Sequence, residues 1–386
     1  MLELLFLLLP IAAAYGWYMG RRGVRIDHQQ STDRRSRNYV AGINFLLSDQ
    51  PDKAVDLFIE LLQVDDETME THLALGNLFR QRGEVDRAIR IHQNLIARPS
   101  ISNEQRLLSM LELARDFLAA GLLDRAETIL VELRQDEEYE EAAARMLIDI
   151  YQQMREWHKA IHVAEQSRKK LGEKMIPALA NFYCELATQD DAEPKRAISW
   201  LKKALSTDPH CVRASLALAR YLQKEGNLSA AVTLLGKVAD QDPDMVLEAI
   251  PLLRECVGDE ESADYAQLLL HLHDKTSSAA VTLEMARLIE NSSGHEEAEQ
   301  FILKSLKRHP TMRVFHRLMD YRLNEVESTQ ARESIGLLKK LVEEQIKAKP
   351  SYRCHTCGFS ARTIFWQCPS CRQWGSIKPI RGLDGD

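Results

Sequence analysis

Apolar residues recur along most of this chain at steps of three and four, the spacing that keeps one face of an α-helix oily. Between about residues 35 and 336 these stretches come in pairs, and the pairs repeat. Ala54, Ala88, Ala126, Ala160, Ala197 and Ala231 each sit inside the second stretch of a pair. The steps from 54 to 88, 126 to 160 and 197 to 231 are each 34 residues. Gly42 to Gly76 and Pro209 to Pro243 are 34 apart as well. This period, with small residues at fixed points, predicts helical hairpins of the tetratricopeptide kind. The small side chains let two helices approach, and the larger apolar ones fill the space between one hairpin and the next. Gly83, Gly121 and Gly226 fall five residues before the alanine. A tight turn is needed there, and glycine takes unusual dihedrals at low cost.

The first unit, about residues 35–68, carries Tyr39, Gly42 and Phe45, then Ala54, Phe58 and Leu61. The second repeats this with Leu73, Gly76 and Phe79, then Ala88, Ile91 and Leu95. The third uses Ala114, Gly121 and Ala126, and the fourth Ile148, Trp157 and Ala160. The fifth has Cys184 where a small residue is wanted; the sixth has Ala219, Gly226 and Ala231. A seventh unit puts Tyr265 in the alanine's place, an eighth recovers with Ala286 and Ala298, and a ninth uses Met319 and Ala331. About nine units are expected, six of them clear, stacked into a superhelix whose concave face holds a peptide or folded partner. Asn44, Asn77, Arg80 and Asn181 are candidates for that face, with ordinary surface or capping use as the alternative.

In front of the array, Leu4 to Gly20 is almost wholly apolar. At about 1.5 Å per residue it reaches roughly 25 Å, one thin crossing of a bilayer. Glu3 precedes the run and Arg21, Arg22 and Arg25 follow it. That charge order argues against a cleaved signal and predicts a single-pass anchor, with the N-terminus outside and the rest on the cytoplasmic side. Residues 21–34 then form a basic juxtamembrane linker able to meet anionic membrane lipids. The expected division is an anchor at 1–20, this linker, the array at 35–336, a connecting helix at 337–350 and a final module at 351–386.

Composition agrees with helices: among 386 residues there are only 17 glycines and 12 prolines. The net charge of -7 gives no global reason for nucleic-acid binding. No phosphate loop, His-Glu-x-x-His or nucleophile elbow is present, so no catalytic residue and no enzyme activity is expected. His158 and His162 could share a helix face but lack an acidic ligand in the same pattern.

Cys184, Cys211 and Cys256 stand singly in helix patterns and read as buried apolar packing. Cys354, Cys357, Cys368 and Cys371 form C-x2-C-x10-C-x2-C. Two such turns present four sulfurs to one ion, the pattern of a small rubredoxin-like or zinc-ribbon module. Zinc and iron both suit a tetrathiolate cage, with zinc preferred as a structural ion. Arg372 follows the last cysteine where a rubredoxin knuckle has glycine, which favours a structural site over electron transfer. The module is basic, with Arg353, Arg362, Arg372, Lys378 and Arg381. Nucleic-acid binding and docking onto the acidic helical array or a protein partner compete as explanations; the chain's net acidity and the expected membrane anchor favour docking, with Trp366 and Trp374 as anchors and Trp366 also a core candidate.

These parts in this order resemble the lipopolysaccharide assembly protein B family (LapB, also YciM). The marks are the Leu75-Gly76-Asn77-Leu78-Phe79 stretch, Gly83 through His92, His309 through His316, the four cysteines and the closing Ile377 through Gly385. The resemblance implies a membrane-anchored adaptor at the inner membrane that promotes degradation of the deacetylase LpxC by the protease FtsH. A regulator, YejM (PbgA), counteracts it. A scaffold for lipopolysaccharide assembly or transport proteins is the alternative it implies. Self-association into a homodimer is a further expectation for repeat surfaces.

Overall fold

The computed structural model describes residues 69–99, 101–189, 193–258 and 263–386, with Tyr15, Trp17, residues 40–42, Asn44, Phe45 and Lys53. The chain divides into two compact units, one ending at Ile150 and one running from Tyr151 to Asp386. The first contains α1 (Met69–Gln81), α2 (Val85–Ile96), α3 (Asn103–Ala119), α4 (Leu123–Leu133) and the start of α5 (Glu140–Met154). The second continues with α6 (Trp157–Gln166), α7 (Ile176–Gln189), α8 (Pro194–Thr207), α9 (Val212–Lys224) and α10 (Leu228–Gly236). Then come α11 (Val246–Val257), α12 (Ala263–Lys275), α13 (Ala279–Ser293), α14 (His295–Arg308), α15 (Met312–Glu325) and α16 (Thr329–Ala348). Most of the first expected hairpin, including Tyr39, Ala54, Phe58 and Leu61, lies outside the described residues.

The hairpin turns are built by local sequence. After α1 the amide of Gly83 donates to the Arg80 carbonyl and that of Glu84 to Phe79. The same pair of bonds closes α3 at Gly121 and Leu122, and α9 at Gly226 and Asn227. This is the Schellman ending, which needs one residue in the left-handed region. Gly83, Gly121 and Gly226 supply it at φ of 83°, 74° and 78°. After α5 the same bonds form, but Arg155 occupies the position at φ 57°.

Five residues beyond these turns Ala88, Ala126, Ala160 and Ala231 are fully buried, and Ala197 is as well. Where the alanine is replaced by Tyr265, the ring is buried too and its hydroxyl donates to Glu284 Oε1 at 3.1 Å. The phenol therefore fills the space and finds the polar partner its burial requires. Gly76 shows why small residues recur on the first helices: a Cβ there would lie 2.4 Å from the His92 ring.

Charged side chains tie each hairpin to the next. Arg80 donates to Asp116 Oδ1 at 2.8 Å and to Glu112 Oε2 at 2.7 Å, and Asp116 also meets His92 Nδ1 at 2.5 Å. In the second unit Arg213 pairs with Glu185 at 2.8 Å and Arg317 with Glu290 at 2.7 Å, and Arg254 pairs with Glu284. Asp116 and Glu284 are fully buried, so each depends on the polar partners it meets there.

The expected membrane-anchored, single-pass inner-membrane topology is corrected. Among the described residues no helix is long and apolar enough to cross a membrane. The Leu4–Gly20 run lies outside those residues except for Tyr15 and Trp17, which are helical. The transmembrane helix in the fold assignment, the periplasmic N-terminus and the placement on the cytoplasmic side all depended on that crossing, and fall with it.

Candidate metal centre and its seat on the helices

After α16 the chain makes a three-stranded antiparallel sheet in the order β2-β1-β3: β1 (Tyr352–Cys354), β2 (Ser360–Ala361) and β3 (Ile377–Pro379). Tyr352 faces Ala361 on one side and Pro379 on the other. Strands this short do not hold together on backbone bonds alone. Their core is Cys354, Cys368 and Ile377, with Tyr352, Phe359 and Cys371 packed against it.

The four sulfurs of Cys354, Cys357, Cys368 and Cys371 lie within 4.8 Å of one another. Cys354 and Cys371 are 3.7 Å apart, and Cys357 and Cys368 3.6 Å. Sulfurs at the corners of a regular tetrahedron around zinc, at about 2.3 Å from the ion, are separated by about 3.8 Å. The cage therefore fits one tetrahedral ion, zinc or iron. The two knuckles match each other. Gly358 follows Cys357 at φ 79° and donates to the Cys354 carbonyl; Arg372 follows Cys371 at φ 59° and donates to the Cys368 carbonyl. His355 is exposed and its ring is not in the cluster.

Electrostatics favour a cation at the centre of the sulfurs. Burial works against ionisation of Cys354, but the Ser376 hydroxyl and the amides of Cys357 and Thr356 outweigh it and bring its pKa down to about 5. The Gln373 amide favours the Cys371 thiolate, yet burial and the neighbouring thiols push it up to about 11. Four crowded thiols cannot all ionise without a positive charge between them.

The module is seated on the helices of its own unit. The Trp374 ring meets Trp157 and Phe182 edge-on, at 6.2 and 5.9 Å between centroids, and Arg213 lies over it at 5.9 Å. Its indole N–H donates to Gln152 Oε1 at 2.7 Å, which also accepts from Gln367. Ile364 and Trp366 pack against the apolar core of α9 to α13. Tyr352 donates its hydroxyl to Glu248; Lys378 pairs with Asp242, and Arg381 with Asp244 at 2.6 Å. The last residue joins in: Asp386 Oδ1 accepts the Ala280 amide in the first turn of α13 at 2.9 Å. A carboxylate at that end of a helix meets the positive end of its dipole. Two basic residues of the tail are thus engaged by acids of the array, as a docking role requires.

The candidate partner-face residues are largely engaged within the fold. Arg80 is held by Glu112, Asp116 and Asn77. Asn181 is buried, donating to the Pro177 carbonyl and accepting from Arg213. Asn44 is exposed. Cys184, Cys211 and Cys256 are buried. Gln152, Asp242, Asp244 and Glu248, which receive the module, went unnoticed in the sequence. The Asp242-Pro243-Asp244 triplet at a helix break was the available signal.

Comparison with known proteins places these parts. A family model described as rubredoxin metal binding domain matches residues 352–379, and tetratricopeptide repeat models match 71–102 and 190–249. The chain is 49% identical to lipopolysaccharide assembly protein B of Escherichia coli (strain K12), over all of both chains. It is 44% identical to the protein of that name from Haemophilus influenzae, over 98% of each. Among solved structures, the MamA protein aligns at a TM-score of 0.32 and 20% identity, covering 47% of this chain and 95% of that one.

Proposed function

The chain belongs to the lipopolysaccharide assembly protein B family, and from that premise we propose that it is an adaptor that regulates lipopolysaccharide synthesis by holding other proteins on its helical array. The family has a role in lipopolysaccharide regulation, and this member is a non-enzymatic repeat protein. The finer reading names the partners: the deacetylase LpxC is held and handed to the protease FtsH, and YejM opposes the handover. The observation that carries it is the full-length relationship, with repeats and metal module in the same order. An array that binds protein surfaces can raise the local concentration of a protease around its substrate without forming any catalytic site.

Within that reading the array spans 35–336 and the metal module 351–386. Cys354, Cys357, Cys368 and Cys371 are the metal ligands, with zinc preferred. The ion supplies folding energy to a segment too small to bury a core. Trp374, Trp366, Lys378 and Arg381 transmit that order to the helices they touch.

The test is the lifetime of LpxC in cells with and without this protein, with FtsH active or inactivated. The adaptor reading expects LpxC to persist several-fold longer when either is missing, with no added effect when both are. An unchanged LpxC lifetime while lipopolysaccharide output still shifts would replace it with a scaffold for assembly and transport proteins.

A further inference from the structure

A cavity of about 380 Å³ opens between α12, α13 and α14, far along the chain from the cysteine module. We propose that it binds a phosphomonoester, with Lys304 and Arg308 of α14 as the principal anion contacts. The two are four residues apart on one helix and so share a face, and both line the cavity. His309 and His273 add imidazoles, and Ser305 a hydroxyl.

Charge balance draws attention to this cavity. Several cations at inter-helix contacts of the unit are matched: Arg213 by Glu185, Arg254 by Glu284, Arg317 by Glu290 and Arg322 by Glu299. Lys304 and Arg308 form no ion pair and no side-chain hydrogen bond among the described residues. One acid, Asp274, lines the cavity, and Lys275 beside it is already paired with Asp240. His273 Nδ1 is buried without a hydrogen-bond partner. Burial, with Arg308 and His309 nearby, holds its pKa below the usual imidazole value. Two cations and two imidazoles gathered around a single carboxylate leave room and charge for a further anion.

Helix polarity does not account for the whole cluster. α14 ends at Arg308, and a cation in the last turn complements the carbonyls there. Lys307 and Arg308 meet that need, and Lys304 lies a turn earlier. The arginine fork suits two phosphate oxygens at once, and the lysine a third. A carboxylate would leave donors unused. The cavity is larger than a phosphate, within the range of small-ligand sites. Phe301, tilted against His273 at 5.7 Å, supplies an apolar wall for the group that carries the phosphate.

The test titrates the full chain calorimetrically with glucose 1-phosphate, inorganic phosphate and glucose. The expected order is glucose 1-phosphate above phosphate, and no heat from glucose. The paired substitution Lys304→Gln with Arg308→Gln, both exposed and checked for an unchanged melting curve, should weaken binding at least tenfold. Lys307→Gln, outside the cavity, should change it less than twofold. Sedimentation with phosphatidic-acid vesicles separates the two sources of this chemistry. Vesicle binding lost in the paired variant assigns the phosphate to a lipid headgroup, and its absence assigns a soluble ester. No binding of either phosphate ligand at millimolar concentration overturns the site, as does equal binding by the paired variant.

Discussion

Two arginines occupy backbone positions that their neighbours in the pattern give to glycine. Arg155 and Arg372 have φ of 57° and 59°, each in a turn whose counterparts use Gly83, Gly121, Gly226 or Gly358. An L-residue is disfavoured in that region by about 1 kcal/mol or more. Arg155→Gly should therefore be neutral to stabilising by up to about 1 kcal/mol, read as a small rise in the urea midpoint. Gly121→Ala should lower it by a similar amount, since no neighbouring atom compensates. An opposite ordering of the two midpoints would mean that the turn is not set by backbone strain. Tyr265 makes a different residue-scale point. A large ring sits where the pattern asks for alanine, and it is tolerated because Glu284 receives its hydroxyl.

At the scale of elements, the joints between hairpins combine apolar packing with a buried charge. Asp116 binds Arg80 and His92 at once. Asp116→Ala takes one of two carboxylates from Arg80 and leaves the buried His92 Nδ1 without its partner, and should cost about 1–3 kcal/mol. Chemical denaturation of the chain measures it. The same joints carry a pH dependence. Burial opposes ionisation of Glu284, but Arg254 and Arg287 win and hold its pKa below 4.5. Glu290 is lowered too, against burial, by Tyr321 and Arg317. A depressed carboxylate contributes stability above its unfolded pKa and loses it as the pH falls through the folded value. Thermal melts of the second unit should thus stay level near neutrality and drop once the pH goes below about 4.5. Glu284→Gln should flatten that drop.

For the whole second unit, the decisive feature is that the metal module is part of the helical body. Its contacts span large separations in sequence: Trp374 with Gln152, Tyr352 with Glu248, and Asp386 with Ala280. Removing the ion with a strong chelator should unfold residues 351–386 and expose the Trp374 ring, shifting tryptophan emission to the red. Cys354→Ser should reproduce that shift without chelator. Trp374→Ala separates seating from folding: one ion per chain should remain bound, while limited proteolysis frees the tail faster. Loss of the ion in Trp374→Ala would mean that the cage depends on the seat.

The sequence by itself determined the features that repeat or act over a few residues. A helical period, a 34-residue spacing, glycines at the Schellman turns and two C-x2-C pairs are local, because helix faces, turns and knuckles are set by neighbours three to six positions away. They were enough for the repeat class, the family and the four-sulfur cage. Hydropathy alone pointed to a membrane crossing, and no described helix meets the length and apolarity it needs. The tertiary structure decided what local spacing cannot encode. It spent Arg80 and Asn181 on joints inside the fold, put Tyr265 beside Glu284, and brought Gln152, Asp242, Asp244 and Glu248 under the tail. Each of those pairings depends on which helices the stacking makes neighbours, and stacking is settled only when every apolar face has found its partner.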